Sequence, residues 1–194
     1  MISPVLENVP TPTNQTRTLP QDGHTLKLML GGRDQRIDGF LNMDVHDGDN
    51  VDISGDISDL SRFADGSVSE IYASHCLEHF PHVKTVDVLK EWRRVMANGG
   101  KTFISVPNMD YIVAHYCKFG LSDWFRNIAW GDQGYKEAFH YNGFNFATLS
   151  NALFLAGYED IVRVNQMPYG LNDCSSKVML NDGKNFSLHV EARA

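Results

Sequence analysis

The sequence predicts an α/β fold, and three observations carry that prediction. The run Leu26–Leu30 is almost continuously apolar and stops at Gly31-Gly32, as expected of a parallel strand covered on both faces. Two short β-type runs follow, residues 40–45 and 51–54, each with an acid at or just past its end, Asp44 and Asp56. Between a fourth run (69–74) and a fifth (102–106), Val83, Val86, Leu89, Trp92, Val95 and Met96 recur at helical spacing, which marks a helix with one core-facing stripe.

Taken in order, residues 1–23 hold four of the seven prolines among Thr, Asn and Gln. Such a segment buries too little to offset its ordering entropy and is expected to be a flexible arm. Residues 24–194 are then expected to form a single domain. After the first strand, glycine allows a sharp turn and close approach of the backbone to a ligand. The connections 32–40 and 45–51 are shorter than the dozen or so residues a crossover helix needs. The N-terminal half should therefore be poor in helices, with one sheet face open or covered by a partner subunit, an arrangement compatible with a homodimer. Pro81 is placed in the first turn of a helix running to about Met96, where its missing N–H costs nothing, and Gly99-Gly100 is placed as its C-terminal cap. Residues 111–143 are rich in Tyr, Phe and Trp mixed with glycine and read as a substrate-covering insertion. Asn145 should cap a short helix to Ala156. Residues 158–164 and 186–192 complete seven strands, joined by a long polar loop.

Composition narrows the function classes. The chain of 194 residues carries 17 Lys plus Arg against 24 Asp plus Glu, a net charge of -7, which works against a nucleic-acid partner. No apolar stretch approaches the roughly 20 residues needed to cross a bilayer, so no membrane association is expected. No basic segment followed by an apolar run opens the sequence, so no secretory signal is expected. Cys76, Cys117 and Cys174 share no metal-ligand spacing and read as reduced thiols of a cytoplasmic protein.

An acid at a strand end beside a glycine-turn strand is where nucleotide-type folds read ribose hydroxyls. The segment His75-Cys76-Leu77-Glu78-His79 also matches a zinc-peptidase pattern, H-x-x-E-H. That chemistry needs both histidines on one helix face, and inside a helix Pro81 would clash with the carbonyl of Leu77. Zinc-dependent hydrolysis through His75, Glu78 and His79 is therefore the lesser alternative, and no metal ligand is expected. His75 instead falls at the carboxyl end of a central strand, where it can accept a proton near neutral pH.

The segments 28–32, 39–44, 55–57, 71–79 and 91–100, with Gly131-Asp132-Gln133 and His140, together resemble successive motifs of class I S-adenosylmethionine-dependent methyltransferases, most closely the small type-11-like subgroup. The resemblance implies a Rossmann-like three-layer sandwich on a mostly parallel seven-stranded sheet with an antiparallel last strand. It implies S-adenosylmethionine as cofactor, with Leu30, Gly31 and Gly32 near its methionine part and Asp44 on the ribose hydroxyls. Asp56 and Ile57 would then flank the adenine, with Ser74 and His75 near the sulfonium. A small-molecule or sugar acceptor would meet Asn108, Tyr111 and His140, and His75, His79 or His140 would serve as base. The family's usual Gly-Cys-Gly reads Gly31-Gly32-Arg33 here. Arginine at the third position would crowd the cofactor or reach its carboxylate, and a cofactor-binding module without catalysis is the alternative consistent with that change.

Overall fold

The computed structural model describes residues 25–174 and 185–194; the arm expected over residues 1–23 lies outside them. Seven strands form one sheet: β1 (Leu26–Leu30), β2 (Leu41–Asp44), β3 (Ile53–Ser54), β4 (Val68–Ser74), β5 (Met96–Pro107), β6 (Glu159–Val164) and β7 (Ser187–Arg193). Their order is β3-β2-β1-β4-β5-β7-β6. The first five are parallel, and β7 runs antiparallel between β5 and β6. Among the described residues the four α-helices are α1 (Thr85–Val95), α2 (Met109–Phe119), α3 (Asp123–Trp130) and α4 (Phe146–Leu155).

The sheet is the middle layer. On one face α1 buries Val88, Leu89, Trp92 and Val95 and α4 buries Leu149 and Leu153, packed with Leu28, Leu30, Ile71, Ile104 and Leu188 in the main core. The opposite face has a thinner cover, in which Ile37, Phe40, Met167 and Leu171 close over Met29, Tyr72 and Phe103. Neither residues 31–40 nor 45–52 form a helix, and Asn42 holds these short connections together from within. Its side-chain amide reaches the carbonyls of Arg33 (3.0 Å), Gln35 (3.1 Å) and Asn50 (2.8 Å), while its backbone N–H donates to the Asp52 carboxylate (3.0 Å). Asn42 is 1% exposed, and buried amides of this kind fix loops because an unmade bond there is costly.

Two local expectations are corrected. Pro81 does not begin the long helix: it precedes a single 3-10 turn, His82–Lys84, and α1 starts at Thr85. Val83 therefore leaves the apolar stripe and is 71% exposed. Gly99-Gly100 is not a helix cap, because β5 starts directly after α1. Met96 pairs with Val68, but the next pair is Lys101 with Glu70, so residues 97–100 bulge out of the ladder. Gly99 has φ +76 there, and a Cβ on Gly100 would meet the Ala97 carbonyl oxygen at 2.9 Å. At the start of α4 the expected cap is present. The Asn145 side chain accepts from Thr148 N–H (3.0 Å), and Thr148 Oγ1 accepts from Asn145 N–H (3.1 Å).

Candidate active site

Strand register assembles the site. Leu30 stands opposite Met43 on one side and Ala73 on the other, so the residues that follow, Gly31, Asp44 and Ser74, emerge at one level of the sheet. Strand order reverses at β1, and the crevice above such a switch point is where open α/β sheets bind ligands. A cleft of about 660 Å³ opens there, lined by Gly31, Gly32, Asp44, Asp56, Ile57 and Ser74 among others.

Each of these residues is held for a physical reason. Gly31 has φ +69, and a Cβ there would lie 2.6 Å from the Cβ of Cys76, so both conformation and packing demand glycine. Burial pushes the Cys76 thiol well up, with Glu78 and Asp44 adding to the effect, so it is neutral filling. Asp44 is 5% exposed. Its Oδ2 accepts from Arg33 N–H and its Oδ1 from His46 N–H, both at 2.9 Å. A carboxylate has about four lone-pair sites, so capacity remains for a ligand hydroxyl. Asp56 closes its own turn by accepting from Ser58 N–H (2.8 Å). Ile57 is fixed from beneath, where Trp92 Nε1–H donates to its carbonyl (2.8 Å).

A histidine cluster forms the other end of the cleft. His75 follows β4 with φ +52, an uncommon left-handed conformation for a non-glycine residue. Its Nε2 lies 2.8 Å from Ser187 Oγ and its Nδ1 3.3 Å from Glu78 Oε1, so both ring nitrogens already have protein neighbours. Glu78 sits on the 3-10 turn Leu77–His79 with its side chain 1% exposed. Burial raises its carboxyl, but contact with His75 and the nearby His79 and His140 outweigh this and hold it below the usual range. His79 and His140 stand edge to face, 4.9 Å between ring centroids. Burial pushes His140 below the ordinary histidine value against the pull of Glu78.

The structure brings most of the expected site residues together. Gly31, Gly32, Asp44, Asp56, Ile57, Ser74, His75 and His79 line the cleft. Leu30 does not, being fully buried in the core beneath the glycine turn. Asn108 and Tyr111 also fall outside the lining. Asn108 is 7% exposed, and its side chain caps α2 by accepting from Asp110 N–H (3.2 Å). Tyr111 packs toward His115, 6.2 Å between rings. His140 stands one layer back, against His79 and Glu78. The H-x-x-E-H helix does not form: residues 77–79 make one 3-10 turn, and His75 precedes it in left-handed conformation.

Arg33 lines the cleft and is tied to its wall. Its backbone is left-handed (φ +48) and its Nη1–H donates to Tyr135 Oη (3.0 Å), with the guanidinium over that ring at 5.4 Å. Tyr135 and Tyr141 belong to the aromatic segment and line the cleft, as do Asn172 and Asp173 from the long loop. No periodicity singles these residues out; the Arg33–Tyr135 pair spans more than a hundred residues of sequence. Gly131 was the available signal. A Cβ there would fall on the Ala138 carbonyl, so only glycine lets residues 131–140 fold back toward β4.

Comparison with known proteins follows this geometry. Residues 38–104 match a family model described as a methyltransferase domain. A structure of an S-adenosylmethionine-dependent methyltransferase from Archaeoglobus fulgidus superposes with a TM-score of 0.58 at 14% identity, covering 89% of this chain and 87% of that one. The chain has the Rossmann-like fold of methyltransferases. Its fold is shared with a methyltransferase of Methanosarcina mazei (TM-score 0.55, 16% identity, 88% and 92% covered) and with one of Thermotoga maritima (0.54, 15%, 90% and 83%). At these identities the likeness is one of fold. No curated protein sequence matches this chain significantly. Among its described residues, no helix is long and apolar enough to cross a membrane.

The cleft has the size and polar lining to take S-adenosylmethionine, on which the Archaeoglobus fulgidus enzyme depends. Among the described residues, neither Ser74 Oγ nor His46 Nε2, both buried, has a hydrogen-bond partner, and both residues line the cleft. Buried polar atoms normally find partners, so two orphans facing one cleft mark where a polar ligand completes the bonding. The volume falls within the range of cofactor sites.

Proposed function

We propose that this protein is a methyltransferase that transfers a methyl group from S-adenosylmethionine to a hydroxyl of a small-molecule or sugar acceptor. The observation that carries the reading is the shared level of Gly31, Asp44 and Ser74 in one cleft whose far wall is the histidine cluster. The cofactor supplies an activated methyl on a sulfonium. The chain's own task is to align the acceptor with it and to take up the acceptor's proton.

In this reading the Gly31-Gly32 turn receives the methionine part, Asp44 the ribose hydroxyls, and Asp56 with Ile57 the adenine. Ser74, with its unpartnered hydroxyl, faces the region where the methyl is presented. Tyr135, Tyr141 and the remainder of the aromatic segment shape the acceptor side. The negative charge of the chain favours an acceptor other than nucleic acid.

Among the three candidate bases, geometry favours His79. Both ring nitrogens of His75 have protein neighbours, and His140 lies outside the lining. His79 lines the cleft and engages only Nδ1, toward the Phe139 carbonyl (3.1 Å), which leaves Nε2 for chemistry. The test is calorimetric binding of S-adenosylhomocysteine followed by turnover on a panel of hydroxylated acceptors. His79→Ala should cut turnover about 100-fold or more while cofactor binding changes little. Binding without turnover on any acceptor would support a non-catalytic module instead, and full turnover in His79→Ala would remove His79 from the mechanism.

A further inference from the structure

We propose that Glu78, His79 and His140 bind one divalent transition-metal ion in the wall of the methyl-transfer cleft. One donor atom from each of the three lies within 4.8 Å of the others. The two histidines come from separate segments, one on the turn after β4 and one at the end of the folded-back loop. They are locked together by the Glu78 carbonyl, which accepts from Tyr141 N–H (2.9 Å) and Asn142 N–H (3.1 Å).

Proton bookkeeping makes this cluster a cation site. The Nδ1 atoms of His79 and His140 face backbone carbonyls, Phe139 O at 3.1 Å and Ile128 O at 2.9 Å. A carbonyl oxygen only accepts, so each Nδ1 carries the hydrogen. In the neutral rings each Nε2 is left as a bare lone pair. Fixing a histidine tautomer through Nδ1–H and a carbonyl is how proteins prepare Nε2 as a metal ligand. His140 Nε2 points toward Glu78 Oε1 at 4.0 Å. Among the described residues, Glu78 Oε2 has no hydrogen-bond partner and Oε1 meets His75 Nδ1 at 3.3 Å, although the side chain is 1% exposed. Two lone pairs thus converge on a buried carboxylate that His75 satisfies on one oxygen alone, an expensive arrangement unless positive charge joins it.

The donor set indicates which ion. Two imidazoles and one carboxylate suit zinc, cobalt, iron(II) or manganese better than magnesium or calcium, which prefer all-oxygen sites. Ligands on a tetrahedral zinc stand ~3.4 Å apart at ~2.1 Å bond lengths, so these side chains need to draw in by about an ångström. Three protein ligands leave a coordination position open. His79 lines the cleft, so that position faces the acceptor. His75 is not a ligand here, unlike in the H-x-x-E-H arrangement; its Nδ1 backs Glu78 at 3.3 Å and orients the carboxylate.

This assignment deepens the methyl-transfer reading and, for its role, rests on it. An acceptor hydroxyl drawn to the cation loses its proton more readily. Its oxygen forms the new bond to the methyl carbon as the S–CH₃ bond breaks, and sulfur leaves with the electron pair as a neutral thioether. The hydroxyl proton passes to solvent. His79 then acts on the acceptor through the cation and not as a free base.

The test uses tag-free full-length protein, stripped with chelator and titrated with Co²⁺ or Zn²⁺ by calorimetry and visible absorption. Wild type should bind one equivalent with a cobalt d–d spectrum showing nitrogen ligation. Glu78→Gln and His140→Ala should each weaken binding by about 100-fold, and His75→Ala by about tenfold. Near-UV circular dichroism and S-adenosylhomocysteine affinity show whether each variant is folded. If a folding-defective variant confounds one position, the wild-type stoichiometry and cobalt spectrum still decide. Absence of stoichiometric binding in the wild type, or unchanged affinity in folded Glu78→Gln and His140→Ala, overturns the proposal. Cobalt binding without S-adenosylhomocysteine binding would keep the metal site and remove the methyltransferase role. The nucleoside binding without cobalt would do the reverse.

Discussion

Replacing Asp44 with Asn tests the proposal that this end of the cleft receives the cofactor's ribose. The carboxylate is 5% exposed and accepts one backbone N–H on each oxygen, from Arg33 and His46, both at 2.9 Å. Asparagine keeps the shape but turns one oxygen into an NH₂ group. One of the two amides then faces a donor instead of an acceptor. Leaving a buried amide unpaired should cost ~1–3 kcal/mol of folding stability. The ribose hydroxyls would at the same time lose a charged acceptor, a bond of ~1.5–3 kcal/mol. That converts to a roughly 10- to 150-fold weaker dissociation constant. Calorimetry with S-adenosylhomocysteine reads the second quantity and urea unfolding the first. An affinity within threefold of wild type, in a variant that circular dichroism shows folded, would refute the placement of the ribose at Asp44.

Other outcomes follow from the same geometry. Gly31→Ala should lose ~2–4 kcal/mol in urea unfolding, since alanine must accept a left-handed backbone and a 2.6 Å approach to Cys76; a loss below ~1 kcal/mol would show that the turn relaxes freely. Trp92→Phe removes the indole N–H that holds the Ile57 carbonyl and should cost ~2–4 kcal/mol, with a weaker S-adenosylhomocysteine complex read by calorimetry. His189 is 3% exposed, and its folded-state pKa is held down to about 4 by burial, with nearby His75 adding to the depression. The unfolded state, with an ordinary histidine value near ~6.5, binds more protons below that pH. Stability should therefore fall as pH drops from about 6.5 through 4, by up to ~3 kcal/mol. His189→Asn should flatten that part of a urea-midpoint profile, and a profile as steep as wild type would assign the acid sensitivity elsewhere.

The parts of this fold legible in one dimension are those governed by local pattern. The apolar run of β1, the α1 stripe through Leu89, Trp92 and Val95, the Asn145 cap and the acids at strand ends all announce themselves through neighbours within a turn or a strand. The departures from local pattern are local as well, and each comes from a competing demand. Pro81 reads as the start of α1, but it precedes a 3-10 turn. Gly99-Gly100 looks like a helix stop, yet the β4–β5 register needs a bulge at that place. Asn108 and Tyr111 sit beside the fifth strand in sequence but are consumed by the capping and packing of α2.

By itself, then, the sequence determined the α/β class, the strand count and the cleft-forming residues 31, 32, 44, 56, 57 and 74, because strand ends and glycine turns are short-range properties. Only the tertiary structure decided what the histidines can do. Ser187 and Glu78 occupy the ring nitrogens of His75, while backbone carbonyls of Phe139 and Ile128 set the tautomers of His79 and His140. Those partners lie from 3 to more than 100 residues away in sequence. A ring nitrogen's lone pair is assigned by whichever donor or acceptor folding brings within hydrogen-bond distance, and all but one of these partners are long-range contacts that no local pattern encodes.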